Sequence, residues 1–191
     1  MPGRARQTLH LMRYYFPIFL LALAAYSCKQ NSGTSAKPVK IGSRVFEKNR
    51  GADCDKPDTL RINCAQINYR WPVVEEGSPA LKKSVAAWAN YYLVGMLAIE
   101  SDSINMTVMS LDSAANVFFD LHENWLKEAP DSPLGYYVAE AADTVLLNNG
   151  KYLTLQILGY TFTGGAHGNP TCVLASFLPG VWPFHNISKA M

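Results

Sequence analysis

The sequence predicts an α+β domain in which an antiparallel sheet packs one face on two helices. Three observations carry this. Apolar residues recur at helical spacing in two stretches near the middle of the chain, strand-like alternation flanks them on both sides, and Asn149-Gly150 joins two strand patterns in the last third.

The elements follow in order. IGSRVFEK is a first strand. TLRINCAQINYRWPVV alternates apolar and polar through Leu60, Ile62 and Cys64, then Ile67, Tyr69 and Trp71, so a long strand with a bulge near Ala65-Gln66 is expected. Pro72 confines that strand to an edge or an end, because proline has no N–H for a ladder. Ser78 then serves as N-cap with Pro79 in the first helical position. Leu81, Val85, Trp88, Tyr92 and Met96 form the buried face of a helix running to about Glu100. A second helix starts near Ser110 or Asp112, with Val117, Phe118, Leu121 and Trp125 as its stripe and Pro130 as its stop. GYYVAEAADTVLLN, Asn149-Gly150 and KYLTLQILGYTFTGG read as a hairpin, because both turn positions tolerate positive φ. TCVLASF is a last strand.

The 191 residues suit one domain behind a leader. MPGRARQTLHLMR is basic without an acid, YYFPIFLLALAAY is an apolar run of 13 residues, and small residues lead to Ser27-Cys28. That run is too short to span a bilayer and reads as a signal peptide over residues 1–27, the alternative being an uncleaved anchor. The net charge is +2 for the whole chain; Arg4, Arg6 and Arg13 fall in the leader, so 14 basic residues face 15 acidic ones beyond it. A basic surface for nucleic acid is therefore not expected. KQNSGTSAKPVK, within a 28–40 tether, is polar with Ser, Gly and Pro.

Ala24-Ala25-Tyr26-Ser27-Cys28 resembles a bacterial lipobox, although Ala25 stands where Leu is more usual. The resemblance implies a diacylated Cys28 as membrane anchor, on the periplasmic or exterior side of the envelope. Export favours oxidised thiols. Cys54 and Cys64, ten residues apart, are then expected to form a disulfide, with Cys172 as a buried free thiol. No CxxC or paired His accompanies these cysteines, so no metal or other cofactor is expected.

The sharpest motif is Tyr160-Thr-Phe-Thr-Gly-Gly-Ala-His-Gly-Asn169, a strand entering a turn with Gly164, Gly165, His167 and Gly168. It lacks GxxxxGK[ST], so it is no phosphate loop. The plain physical expectation is a tight turn in which His167 pins backbone groups. The segment, preceded by TLQILGY, resembles the signature of an envelope domain family. That family includes the N-terminal domain of the peptidoglycan deacetylase PdaC and the extracytoplasmic part of the lysozyme-sensing anti-sigma factor RsiV. The resemblance is sharpest over 151–170 and looser back to about residue 55. It implies one PdaC/RsiV-like domain over 41–178, with 179–191 as the shortened start of a second domain. The family's deacetylase activity resides in a separate domain, whose metal-binding Asp and His motifs have no match here.

No set of catalytic residues can be assembled from spacing; Asp143, His122 and His167 would need an unknown fold to meet. The expectation is a non-catalytic lipoprotein that binds a cell-wall glycan or an envelope protein such as a lysozyme, with the membrane engaged through Cys28. The alternatives are an accessory or catalytic domain of a peptidoglycan-modifying enzyme, with His167 as its acid, base or ligand, and a structural lipoprotein fragment.

Overall fold

The computed structural model describes residues 37–57, 60–99, 106–129 and 135–179. The expected leader, Cys28, most of the tether, Pro130 and the tail from residue 180 lie outside the described residues. The elements are β1 (Lys40–Arg50), β2 (Cys64–Glu76), α1 (Pro79–Leu97), α2 (Leu111–Glu128), β3 (Tyr136–Asn148), β4 (Leu153–Phe162) and β5 (Asn169–Phe177). They form an α+β fold, with a five-stranded sheet in the order β1-β2-β3-β4-β5. Among the described residues, no helix is long and apolar enough to cross a membrane.

Both helices start where local chemistry places them. The Ser78 side chain accepts a hydrogen bond from Leu81 N at 3.2 Å, and Pro79 opens α1. Leu81, Val85, Trp88 and Met96 are buried and Tyr92 is half-buried, and the helix ends at Leu97, short of Glu100. Ser110 Oγ accepts from Ser113 N at 3.1 Å and caps α2. The buried face of α2 is rotated from the predicted stripe. Ala114, Ala115, Phe118, Phe119 and His122 are buried, whereas Val117, Leu121 and Trp125 are only half-buried. On the flank, the Arg50 guanidinium lies 4.8 Å from the Phe119 ring centroid and reaches Asp120 at 3.0 Å and Glu123 at 3.2 Å.

The sheet is mostly antiparallel, as expected, with one parallel pairing that the sequence reading does not include. β2 and β3 pair in parallel, Cys64 with Tyr136 through Tyr69 with Ala141, while the other three pairings are antiparallel. Both helices intervene between β2 and β3, and that long crossover lets the chain re-enter the sheet in the same direction, which a hairpin cannot do. One face of the sheet, carrying Ile67, Tyr69, Tyr137, Ala139, Leu155, Ile157 and Val173, joins the helices in a single core.

β2 begins later than its alternation suggests. Leu60 and Ile62 are exposed and precede it. Cys54 and Cys64 are joined by a disulfide, and Asp53 Oδ2 accepts from Asn63 N at 3.0 Å, so this loop folds back on itself instead of extending the strand. The bulge is not at Ala65-Gln66. The register shifts between Lys40 and Ile41, which leaves Glu75 as the extra residue of β2. Pro72 is paired with Ser43 of β1, but the β2–β3 pairing stops at Tyr69. At Pro72 the strand is therefore an edge, and its missing donor is tolerated.

Beyond Tyr69 the gap between strands is spanned by side chains. Asp143 accepts from Ser43 Oγ at 2.8 Å and lies 2.8 Å from Arg70 Nε. Asn148 bonds both backbone groups of Val39, at 2.9 and 2.7 Å. The β3–β4 connection is longer than an Asn-Gly pair. Asn148 pairs with Leu153, and Asn149 Oδ1 accepts from Lys151 N at 3.1 Å and Tyr152 N at 2.8 Å. Only Gly150 takes a positive φ there, 78°, and the turn is closed both by the Asn149 side chain and by its backbone N–H, which donates to Tyr152 O at 3.1 Å.

Candidate functional site

The YTFTGGAHGN segment leaves β4 at Phe162 and returns as β5 at Asn169, with Thr161 paired to Asn169 and Tyr160 to Pro170. Gly164 and Gly165 have φ of 82° and 96°, in a region that L side chains avoid. Gly168 is needed for another reason: a Cβ there would stand 2.4 Å from Tyr160 ring atoms. The turn thus folds against the Tyr160 ring, which stays partly exposed on the outer side of the sheet.

Beside this turn, β4 and β5 meet the C-terminal half of α1 in a cleft of about 430 Å³. Tyr91, Tyr92, Met96 and Ile99 line it from the helix and its end, and Thr161 and Asn169 from the sheet. The two tyrosine rings meet edge to face, with centroids 5.1 Å apart. Met96 lies so close over Gly159 that a Cβ there would be 2.2 Å from its sulfur. Thr161 Oγ1 points to the Met96 carbonyl at 3.5 Å, near one of the carbonyls that the helix end leaves without an internal partner. The cleft therefore offers ring edges, a thioether and aliphatic surface, with a hydroxyl and an amide from the strands.

Sequence reasoning found the turn but missed the cleft. Tyr92 belongs to the helix stripe and reads as core, while its neighbour Tyr91 falls off that stripe and is exposed. An aromatic pair straddling a helix boundary of burial, opposite a glycine just before Tyr160, was the available signal.

The titratable groups named from sequence do not converge. His167 is exposed in the turn and makes no hydrogen bond among the described residues, so the expected pinning of backbone by His167 is not present. Asp143 is held by Ser43 and Arg70. Cys172 is exposed, not buried as expected, because Val173, Ala175 and Phe177 take the core-facing positions of β5 and leave residue 172 on the other face. Gln156 Nε2 donates to its sulfur at 3.4 Å. Among the described residues, no group of three or more His, Cys, Asp and Glu side chains is arranged to hold a metal.

His122 is 1% exposed, and its Nε2 lies 2.6 Å from Gly135 O. A carbonyl only accepts, so Nε2 carries the proton and donates. Burial pushes the His122 pKa below its ordinary 6.5, partly offset by the Gly135 carbonyl and by Glu123. The unfolded chain therefore takes up the proton first. The stabilisation from neutral His122 is fully present above about pH 6.5 and is lost as pH falls through that value towards the lower folded pKa. Melting temperature is expected to fall between pH 7 and pH 5 in the wild type, and less in His122→Gln, whose amide can donate to the same carbonyl. Parallel pH profiles for the two proteins would show that His122 is not responsible.

A five-stranded sheet backed by two helices, with a cleft beside a Gly-rich turn, defines the class as an α+β domain. The chain belongs to the family described as Deacetylase PdaC, whose model matches residues 61–170, more than half of the sequence. That membership points to an envelope-associated domain. No curated protein matches the chain. Two solved structures are similar to it. One is a member of the DUF3298 family from Bacteroides fragilis NCTC 9343, 18% identical with a TM-score of 0.49, covering 73% of this chain and 57% of that one. The other is a DUF3298 family protein from Pseudomonas aeruginosa PAO1, 16% identical with a TM-score of 0.47, covering 75% and 53% respectively. The chain thus spans a little over half the length of these two proteins.

Proposed function

We propose that this chain is a non-catalytic lipoprotein of the cell envelope, anchored through a lipidated Cys28, whose domain binds a cell-wall glycan or an envelope protein such as a lysozyme. One observation carries the binding half: the cleft beside the family's turn is walled by Tyr91, Tyr92, Met96 and Ile99. Such a surface gains by covering a ring or an apolar side chain. Two of the three groups that acid–base chemistry could draw on are committed elsewhere, His122 to Gly135 and Asp143 to Arg70 and Ser43, and the third, His167, stands exposed in the turn apart from both.

The test uses the detergent-solubilised full chain, sedimented with purified sacculi and, separately, titrated with lysozyme. Binding to at least one is expected, about tenfold weaker in Tyr91→Ala and unchanged in His167→Ala. Appearance of turnover that depends on His167 would replace this reading with the enzymatic one, whereas loss of binding alone in His167→Ala would place the binding surface at the turn. Failure to bind either probe would leave the structural-fragment reading. The anchor half is checked in the same cells by fatty-acid labelling, which Cys28→Ser is expected to abolish.

A further inference from the structure

The geometry points to a second binding site, a groove between the β1–β2 ladder and the face of α1 that carries Lys82, Val85, Asn90 and Leu93, for a peptide segment of a protein partner that presents an apolar side chain next to a carboxylate. This rests on the binding-module reading above and narrows it to its protein arm.

The groove encloses about 510 Å³, within the range of sites that hold one or two side chains or a small ligand. Arg44 and Trp71 are direct cross-strand partners, so both side chains leave the same face of the ladder and stand side by side on one wall. Lys82 and Asn90, two helical repeats apart, stand on the opposite wall. Val85 and Leu93, each 1% exposed, lie at the base.

The groove itself is lined by two cations, Arg44 and Lys82, and by no carboxylate. Arg44 is exposed and has no carboxylate partner among the described residues. Lys82 Nζ donates to the Glu75 carbonyl at 2.7 Å, which leaves its charge unneutralised. The Glu75 carboxylate faces Lys40 at 3.2 Å, which it shares with Glu76 at 3.3 Å. A carboxylate arriving at the rim therefore meets two cations, one of them a guanidinium able to hold both oxygens. Asn90 Nδ2 is committed to Met109 O at 3.1 Å, which leaves its Oδ1 as an acceptor for a peptide N–H.

The base decides between a peptide and a glycan. Val85 and Leu93 supply no polar atom, so a sugar seated there would lose water from its hydroxyls without replacement hydrogen bonds. An apolar side chain has no such cost, and Trp71 beside it adds ring surface that is only half-buried in the free protein.

The probe is a fluorescein-labelled peptide of sequence Gly-Asp-Leu-Leu-Glu-Gly, titrated into the detergent-solubilised full chain and read by anisotropy. Two comparators replace the acids by their amides or the leucines by serines. The acidic apolar peptide is expected to bind, each comparator about tenfold more weakly, and Arg44→Gln to lose about tenfold while Arg44→Lys recovers part of the loss. Arg44 is exposed, so its variants are expected to keep the wild-type circular dichroism spectrum. Equal binding by Arg44→Gln and wild type would overturn the site. Displacement of the peptide from the groove by a peptidoglycan digest, but not by unlabelled peptide, would overturn the ligand class. If none of the peptides binds while sacculi or lysozyme still do, this inference fails and the binding-module reading stands; if nothing binds, both fail.

Discussion

Cys54→Ser is expected to destabilise the domain by about 2–3 kcal/mol, the chain-entropy contribution of a disulfide closing a loop of this length. For a domain of this size that corresponds to a fall of roughly 10 °C in melting temperature. The bridge joins residues ten apart, and the loop it closes is tied by Asp53 N to Asn63 O at 3.0 Å and by Asn63 N to Asp53 Oδ2 at 3.0 Å. The consequence reaches further than the loop. Ile62 packs its carbonyl so close to Gly135 that a Cβ on Gly135 would stand 2.3 Å from it, and Gly135 O is the partner of buried His122. Thermal melts with and without dithiothreitol check this. Reductant should lower the wild-type transition to that of Cys54→Ser and leave the variant unmoved. Coincident melts for all four samples would mean that the loop is held closed without the bridge.

Gly165→Val is expected to cost about 2 kcal/mol or more, and His167→Ala less than about 0.5 kcal/mol. The contrast comes from backbone conformation, not from packing. Gly165 has φ of 96° and nothing within 4 Å of where a Cβ would be, so the strain of a β-branched residue at that angle is the whole effect. His167 is exposed and removes no hydrogen bond among the described residues when truncated. Gly168 supplies a control that acts by overlap instead: Gly168→Ala would push on the Tyr160 ring. Chemical denaturation of the purified variants ranks them. If His167→Ala proves the more destabilising, the turn is built on the histidine. If it is stable but fails to bind sacculi and lysozyme, His167 belongs to the binding surface.

The local features of this chain are legible in its sequence. Ser78-Pro79 and Ser110 mark helix starts because a hydroxyl beside free N–H groups acts within a few residues. The strands around Asn149-Gly150 follow from alternation, and the glycines of the family segment announce a turn whose φ values other residues avoid. Each of these is decided by neighbours along the chain. The expected export signal and the expected anchor at Cys28 are likewise read from linear patterns.

What tertiary structure decided is who meets whom across the sheet and against the helices. The parallel pairing of β2 with β3 depends on where a two-helix crossover lands, and no residue in either strand encodes it. The exposure of Cys172 depends on which face of β5 the helices cover. Asp143 finds Arg70 and Ser43 only because β2 and β3 part company after Tyr69. Arg44 and Trp71, 27 residues apart, become neighbours through a register that the bulge at Glu75 helps to set. Propensities and caps act over one turn or one strand, whereas register and crossover arise from burying a whole face at once, and the clefts of this domain are made by the second kind of force.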